Sequence, residues 1–178
     1  VSITFANVIY VFINGCMYVY LQIFAVFEFN NAKCIVRDPA VLKFDYCYLR
    51  SVNRTYKYFS MRTQFLAFPV DNTWVSLKVL KRDNRHIFDR YNVTVDGCRF
   101  LKERSNPFVN VLFGIFEEYS NLNHTCPYNH DIVLEKLPVQ HVNSLIKYIV
   151  PDGRYILNTT WSTKKKPFAE VIVYFTKF

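Results

Sequence analysis

The five cysteines and four histidines are the residues of this chain whose spacing could support metal or thiol chemistry. No two cysteines have the C-x2-C spacing of structural zinc sites, and no histidine lies at ligand spacing from them. The histidines are scattered at His86, His124, His130 and His141. We therefore interpret each histidine as a surface or packing residue, and we expect neither a metal ion nor a cofactor.

Enzymatic catalysis requires a nucleophile, an acid or a base held beside a second group that tunes it. The chain contains no G-x-S-x-G, no H-E-x-x-H, no glycine-rich phosphate loop and no EF-hand pattern. Its one adjacent acidic pair is Glu117-Glu118, and neighbours on a helix point about 100° apart, which fits a solvated face rather than a carboxylate dyad. We expect that the protein is not an enzyme.

Residues 1–25 form an uncharged, mostly apolar run that ends before Glu28. The favoured interpretation is a secretory signal peptide that is cleaved near Ala25. The alternative is a retained anchor, because a membrane-spanning helix needs about 20 apolar residues. Either way residues 26–178 are exported as one domain, secreted or anchored on the extracellular side. No stable membrane insertion is expected unless residues 1–25 are retained.

The remaining cysteines and the sequons agree with export. Four cysteines lie after residue 25, and an even number in a small exported domain predicts two disulfides, whose pairing stays open. These residues are Cys34, Cys47, Cys98 and Cys126. Four N-x-[ST] sequons predict N-glycosylation on solvent-facing surfaces. Their asparagines are Asn53, Asn92, Asn123 and Asn158. The sequence thus predicts a secreted extracellular glycoprotein.

Apolar and polar residues alternate after residue 27, which predicts half-buried strands. In the first clear case Leu42, Phe44, Tyr46 and Tyr48 alternate with Lys43, Asp45 and Cys47. Further strand-like runs, separated by Pro, Gly, Asn and Asp, cover residues 56–68, 73–80, 87–95, 132–137, 154–161 and 168–175. Many short strands with turn residues between them favour an antiparallel two-sheet sandwich over βαβ units.

One segment has helical rather than strand periodicity. After Ser105-Asn106-Pro107 the apolar residues are Phe108, Leu112, Ile115, Phe116 and Tyr119. Asn106 or Ser105 suits the N-cap and Pro107 the first turn, so the pattern predicts one inserted helix at about 105–119. Its apolar stripe is most simply core packing against a sheet, and the alternative is the wall of a ligand pocket. The predicted fold is therefore mainly β, with one helix inserted into the sandwich.

The net charge of +8 raises the question of an anionic partner. The basic residues are dispersed, apart from Lys81-Arg82 with Arg85 and the run Lys164 to Lys166, so we expect no nucleic-acid binding. We interpret the lysine run as a solvated loop between the last two strands. Contact with anionic head groups is the alternative.

Several stretches together resemble an insect family of small secreted proteins. They are FEFNNAKC (27–34), FDYCYLRSVNRTYKYFS (44–60), VDGCRFL (95–101), SNLNHTCPY (120–128) and VPDGRYIL (150–157). The family is DUF1091, also called DM8, which is related to the chemosensory CheB proteins. The resemblance extends to the MD-2-related lipid-recognition fold, and it implies an immunoglobulin-like sandwich whose two sheets part to hold an apolar ligand.

The resemblance also implies a disulfide pairing. A Gly-Cys followed downstream by a Cys-Pro forms a local bridge in that wider group, and Gly97-Cys98 and Cys126-Pro127 match both halves. This implies Cys98–Cys126 and leaves Cys34–Cys47 as the second bridge. A bridge from Cys34 to a distant cysteine stays open on the residues alone.

Two functions of different classes follow. The first is a carrier that holds an apolar small molecule, such as a lipid, fatty acid, hydrocarbon or pheromone, between its sheets. A chemosensory role would rest on the CheB kinship alone. Large aromatic residues suit a cavity wall. The candidate lining residues are Phe44, Tyr46, Trp74, Leu77, Phe108, Leu112 and Phe116, and the simpler interpretation is that they fill the core.

The second function is a glycosylated interaction module that binds an extracellular receptor or surface protein and has a solid core. The residues that would then matter are Lys81, Arg82, Arg85 and Lys164 to Lys166. Cavity volume discriminates between the two functions. An enclosed apolar void of roughly several hundred Å³ supports the carrier, and native packing density throughout supports the module.

Overall fold

The computed structural model describes residues 2–5, 8–13, 16–21, 27–53, 56–66, 69–83, 86–163 and 166–178. For residues 2–21, 83 and 86–88 it describes the backbone only. The first three strands are β1 (Ser2–Phe5), β2 (Val8–Ile13) and β3 (Cys16–Leu21). They form an antiparallel sheet of their own within the predicted leader. Cleavage of residues 1–25 stays a prediction.

The rest of the chain contains two antiparallel sheets. The larger one has the order β4-β11-β10-β7-β8. Its strands are β4 (Phe27–Val36), β7 (Trp74–Asp83), β8 (His86–Asp96), β10 (Gly153–Thr163) and β11 (Lys166–Lys177). The smaller sheet consists of β5 (Leu42–Ser51), β6 (Lys57–Phe65) and β9 (Ile132–Pro138), in that order. The predicted mainly β, two-sheet sandwich is confirmed.

Within the described residues three helices accompany the sheets, where the sequence predicted one. They are α1 (Gly97–Glu103), α2 (Pro107–Phe116) and α3 (Val139–Ile146), and a 3₁₀ turn (Glu117–Tyr119) follows α2. The predicted helix is confirmed as α2, with Asn106 as its N-cap, because the Asn106 Oδ1 accepts from the Val109 N–H at 3.1 Å. Among the described residues no helix has the length and apolar character required to cross a membrane.

The two helices that the sequence analysis missed are short and directly follow strands. Helix α1 begins where β8 ends, and α3 begins where β9 ends. A signal for α3 was present, since Val139, Val142 and Ile146 recur at helical spacing and are all buried. The preceding strand pattern and Pro138 concealed it.

The two sheets have unequal widths, and this decides how the core is built. The three-stranded sheet packs on the β4, β11 and β10 side, where Phe59, Met61 and Leu134 share one buried cluster with strand residues of the larger sheet. On the β7 and β8 side, Leu77 packs instead against Phe100 of α1 and Phe113 of α2. Helices α1 and α2 therefore cover the part of the large sheet that the small sheet leaves open.

Two disulfides fasten these layers, and both pairings implied by the family resemblance are confirmed. Cys34 of β4 is bonded to Cys47 of β5. These strands belong to different sheets, since β4 pairs with β11 and β5 with β6, so the bridge joins the two layers at one edge. Cys98 of α1 is bonded to Cys126, which ties the covering helices to the loop before β9.

The Asp96-Gly97-Cys98 corner joins the end of β8 to the start of α1. The Asp96 Oδ1 caps the helix by accepting from the Arg99 N–H at 3.0 Å. The Gly97 N–H donates to the Thr73 carbonyl oxygen at 2.7 Å. A Cβ atom at position 97 would lie 2.9 Å from that oxygen, which is closer than a real Cβ approaches a backbone atom. Glycine is therefore required for this close approach.

Gly97→Ala and Gly114→Ala form a matched pair of substitutions with opposite expected effects. Gly97→Ala pushes α1 away from Thr73, and we expect the free energy of unfolding to fall by about 1–3 kcal/mol. Gly114 lies inside α2 with nothing within 4 Å of an added Cβ. Gly114→Ala should therefore raise the free energy of unfolding by roughly 0.5–1 kcal/mol. Urea denaturation of wild type and the two variants measures both effects. An unchanged free energy of unfolding in Gly97→Ala would contradict the close approach to Thr73.

Candidate functional site

A cavity of about 550 Å³ lies between the inner face of the five-stranded sheet, the three-stranded sheet and helices α2 and α3. This volume lies within the range of small-molecule sites, roughly 300–1,000 Å³. Both sheets and the helices contribute side chains to the walls of the cavity. The five-stranded sheet supplies Val75, Leu77, Val79, Tyr155, Leu157, Trp161, Val171, Val173 and Phe175. The three-stranded sheet supplies Phe59, Phe65, Ile132, Leu134 and Leu137. Helices α2 and α3 supply Phe108, Val109, Val111, Leu112, Phe113, Ile115, Phe116, Val142 and Ile146.

The cavity divides the buried core. A domain of this kind usually has one contiguous apolar core. Here the described buried residues form three separate clusters, around Phe175, Phe168 and Phe113 respectively. All three of these rings line the cavity. The cavity therefore occupies the place where the three clusters would otherwise meet.

Strand β7 shows which face of the large sheet forms the wall. Its residues at 75, 77, 79 and 81 line the cavity, and the alternate residues point away from it. Leu77 is a lining residue, as a carrier would require. Trp74 is not a lining residue and is 40% exposed. Trp74 and Leu77 are three positions apart, so an alternating strand directs them to opposite faces.

Strand β5 contains a β-bulge that corrects the expectation for its aromatic residues. The pairing shifts from Phe44↔Thr63 to Tyr46↔Arg62, so one extra residue enters β5 at this point. Beyond the bulge Cys47 and Leu49 face the core instead of Tyr46 and Tyr48. The Tyr46 hydroxyl lies outside, where it donates to the Glu135 Oε1 at 2.8 Å.

Phe44 precedes the bulge and does face inward. It is half-buried and packs against two of the core clusters, but it is not among the residues that line the cavity. Phe44, Tyr46 and Trp74 are thus placed outside the cavity wall. The structure brings the other four candidates together on it, namely Leu77, Phe108, Leu112 and Phe116.

Helix α2 presents the side chains that close the cavity over β7 and β8. Phe108, Leu112 and Phe116 recur every four residues and line the cavity. Phe108 also stacks on Tyr91 of β8, with ring centroids 4.5 Å apart. This contact fixes the N-terminal end of α2 to the edge strand of the large sheet.

Arg104 positions the helices relative to each other, and the sequence analysis did not single it out. It follows α1 with a left-handed φ of 50°. Its guanidinium carbon lies 3.9 Å from the centroid of the Phe113 ring, and a guanidinium nitrogen contacts the Glu117 Oε1 at 2.9 Å. Cation–π contacts of this type contribute about 0.5–1 kcal/mol at accessible sites. Arg104 therefore holds the C-terminal part of α2 close to α1.

One end of the cavity opens to solvent. Its lining residues there are exposed, with Tyr91 at 57% and Ile149 at 59%. The described lining includes two charged side chains, Lys81 and Arg90, and no histidine, aspartate or glutamate. A general acid or base must lie within hydrogen-bond reach of its substrate. The arrangement suits binding of an apolar molecule and offers a bound molecule no imidazole or carboxylate.

A pair of histidines lies near the other end of the cavity. His124 Nε2 is 2.9 Å from His130 Nε2, and the His124 ring stacks on Tyr128, which lines the cavity. In the sequence these histidines are scattered, and only the folded loop brings them together. In the part of the chain that the structure describes, no group of three or more His, Cys, Asp and Glu residues could hold a metal ion.

The predicted glycosylation sites differ in exposure. Asn53, Asn92 and Asn123 are exposed, although residues 54 and 55 of the first sequon lie outside the described residues. Asn158 is only half-buried, but its Oδ1 is buried and has no hydrogen-bond partner among the described residues. Glycosylation stays a prediction at all four positions.

Tyr46→Phe tests the surroundings of the Tyr46 hydroxyl through the pH dependence of the free energy of unfolding. Burial, followed by the hydrogen bond to Glu135 and the charge of that carboxylate, raises the pKa of Tyr46 to about 12. Because the pKa is higher in the folded state than in the unfolded state, the protonated hydroxyl contributes to stability. This contribution is complete when the pH is below the ordinary tyrosine pKa of about 10, and it is lost as the pH rises towards 12. We expect wild type to lose more stability than Tyr46→Phe between about pH 9 and pH 11 in urea denaturation. Parallel loss in both proteins would contradict the raised pKa that burial and Glu135 together produce.

The comparisons with known proteins assign the chain to a family. The family model described as Protein of unknown function (DUF1091) matches residues 75–157, which run from β7 to β10. No curated protein matches the chain. The two disulfides are compatible with an extracellular protein. This match confirms, for residues 75–157, the DUF1091 family that the sequence motifs predict.

Proposed function

We propose that the chain is a secreted, non-enzymatic binding protein that holds an apolar small molecule, of the lipid, fatty acid, hydrocarbon or pheromone class, between its sheets. The observation that carries the proposal is the apolar cavity of about 550 Å³. Its walls come from both sheets and from the covering helices, so the cavity is part of the architecture and not a defect at one position.

The energy of an empty cavity supports an occupant. An unfilled apolar void costs about 24 cal/mol per Å³. For 550 Å³ this is on the order of 10 kcal/mol if nothing fills it, which is comparable with the whole net stability of a domain. Water compensates poorly, because apolar cavities offer it few hydrogen-bond partners. An apolar ligand recovers the missing contacts and is the occupant that the walls favour.

The competing function, an interaction module with a solid core, receives less support. It required native packing density throughout the core and a basic face on the outside. Lys81 lines the cavity instead, and Lys166 is paired with Asp38 at 2.6 Å. Arg85, Lys164 and Lys165 lie outside the described residues. A chemosensory role stays a proposal that depends on the CheB kinship.

Native mass spectrometry of the protein secreted from insect cells is the most direct test of the proposed function. We expect a co-purifying molecule that solvent extraction releases, and a protein mass that includes two disulfides and any glycans. If no molecule is released, the protein is then titrated with 1-aminoanthracene, a neutral apolar fluorophore. A protein that yields no lipid and does not take up this probe would overturn the carrier.

Leu112→Trp tests whether binding occurs in the cavity. Leu112 faces the cavity from α2, and an indole in its place occupies part of the ligand volume. We expect the affinity for 1-aminoanthracene to fall at least about 10-fold. Asn110→Trp is the matched control, because Asn110 lies on the same helix but is exposed and outside the cavity wall. If both variants bind 1-aminoanthracene with equal affinity and have unchanged circular dichroism spectra, the probe binds outside the cavity.

A further inference from the structure

The proposed function leaves the class of ligand open, and the charged residues of the cavity narrow it. Among more than forty described lining residues only Lys81 and Arg90 carry a charge, and both are cationic. Lys81 lies on β7, opposite Phe88 of β8. Arg90 is two residues beyond Phe88, so it occupies the diagonal position on the neighbouring strand. The two cations therefore lie at the same end of the cavity.

A β-bulge directs Arg90 to the cavity. The pairing of β7 with β8 shifts from Leu80↔Asp89 to Val79↔Tyr91, so Arg90 is the extra residue in β8. Successive residues of a regular strand point to opposite faces, yet Arg90 and Tyr91 both line the cavity. Bulges commonly re-aim a side chain in this manner. Regular alternation counted from Tyr91 would place Arg90 on the outer face of the sheet, and the bulge instead lets both residues face the cavity.

Both cations have hydrogen-bonding capacity to spare. Within the described residues Arg90 makes no ion pair and no hydrogen bond. Lys81 Nζ donates to the Asp152 carbonyl oxygen at 3.0 Å, which uses one of its three N–H donors. The carboxylate of Asp152 is occupied by the buried Lys177, whose Nζ lies 2.7 Å from the Asp152 Oδ1. The acid at this end is thus already neutralised by a third cation.

Tyr155 lies beside Lys81 at the same end of the cavity. Its ring is buried among the lining residues, with Lys81 Nζ 5.8 Å from its centroid. The hydroxyl donates to the Pro151 carbonyl oxygen at 2.9 Å. Burial raises the pKa of Tyr155, and the charge of Arg90 opposes that effect.

We propose that Lys81 and Arg90 bind the carboxylate of a long-chain fatty acid whose hydrocarbon chain lies in the cavity. A guanidinium can bind a carboxylate with two parallel hydrogen bonds, and an ammonium adds a point charge beside it. A neutral hydrocarbon would leave the exposed Arg90 and the half-buried Lys81 without a counter-charge at this end of the cavity. A fatty acid satisfies both the apolar walls and the charged end.

Displacement of 1-aminoanthracene by two matched ligands tests this inference, which rests on the proposed function. Oleate and oleyl alcohol share a hydrocarbon chain and differ in the charge of the head group. We expect oleate to displace the probe from the full-length protein at concentrations roughly 10-fold lower than the alcohol, with an advantage that shrinks in high salt. Lys81→Gln and Arg90→Gln should each weaken oleate roughly 3- to 10-fold and leave the alcohol unchanged.

Lys78→Gln is the matched control, because it removes the same charge from the outer face of β7. Should Lys81→Gln fail to fold through loss of its Asp152 contact, Arg90→Gln alone carries the test. Equal displacement by oleate and the alcohol, or an oleate preference that Arg90→Gln leaves undiminished, would overturn the fatty-acid inference while probe binding preserves the carrier. Absence of probe binding in wild type would instead overturn the proposed function.

Discussion

The unequal width of the two sheets is the constraint on which the rest of the structure depends. Three strands cannot cover the apolar face of five, so β7 and β8 need another cover, which α1 and α2 provide. Helix side chains and sheet side chains do not share one packing geometry, and a seam forms where the two covers meet. The cavity lies along this seam, bounded by all three core clusters.

The most specific local contacts of the chain hold this helical cover in place. Gly97 lets α1 start against Thr73, Cys98–Cys126 fastens α1 to the far loop, and Arg104 joins α1 to α2. The match to the family model, residues 75–157, contains Gly97, the Cys98–Cys126 disulfide and Arg104, and Thr73 lies two residues before it. The matched range therefore includes both covering helices and strands β7 to β9.

Most of the fold could be predicted from the sequence because alternation and capping are local. The strands and α2 carry those signals in their own residues, and the family resemblance added the disulfide pairing. The cavity wall was predicted only in part, since the bulge in β5 reverses which of Tyr46 and Cys47 faces the core. A bulge is fixed by the pairing of two strands, so the periodicity of one strand does not reveal it. The same limit hid Arg90, which regular alternation would assign to the solvent face.

Because the cavity lies where the small sheet and the helical cover meet, different residues maintain the fold and contact the ligand. Helix α2 is fixed at its ends, by the Asn106 cap, by Phe108 on Tyr91, and by Arg104 with Glu117. Its middle faces the cavity, and Leu112 lines the cavity while it packs against the cluster around Phe113. A change of size at the middle of α2 therefore alters the shape of the cavity more than the position of the helix. The charged end of the cavity is determined by a different element, because the position of Arg90 depends on one extra residue in β8. Chain shape and head-group charge of a ligand are thus controlled by different elements of the same cavity.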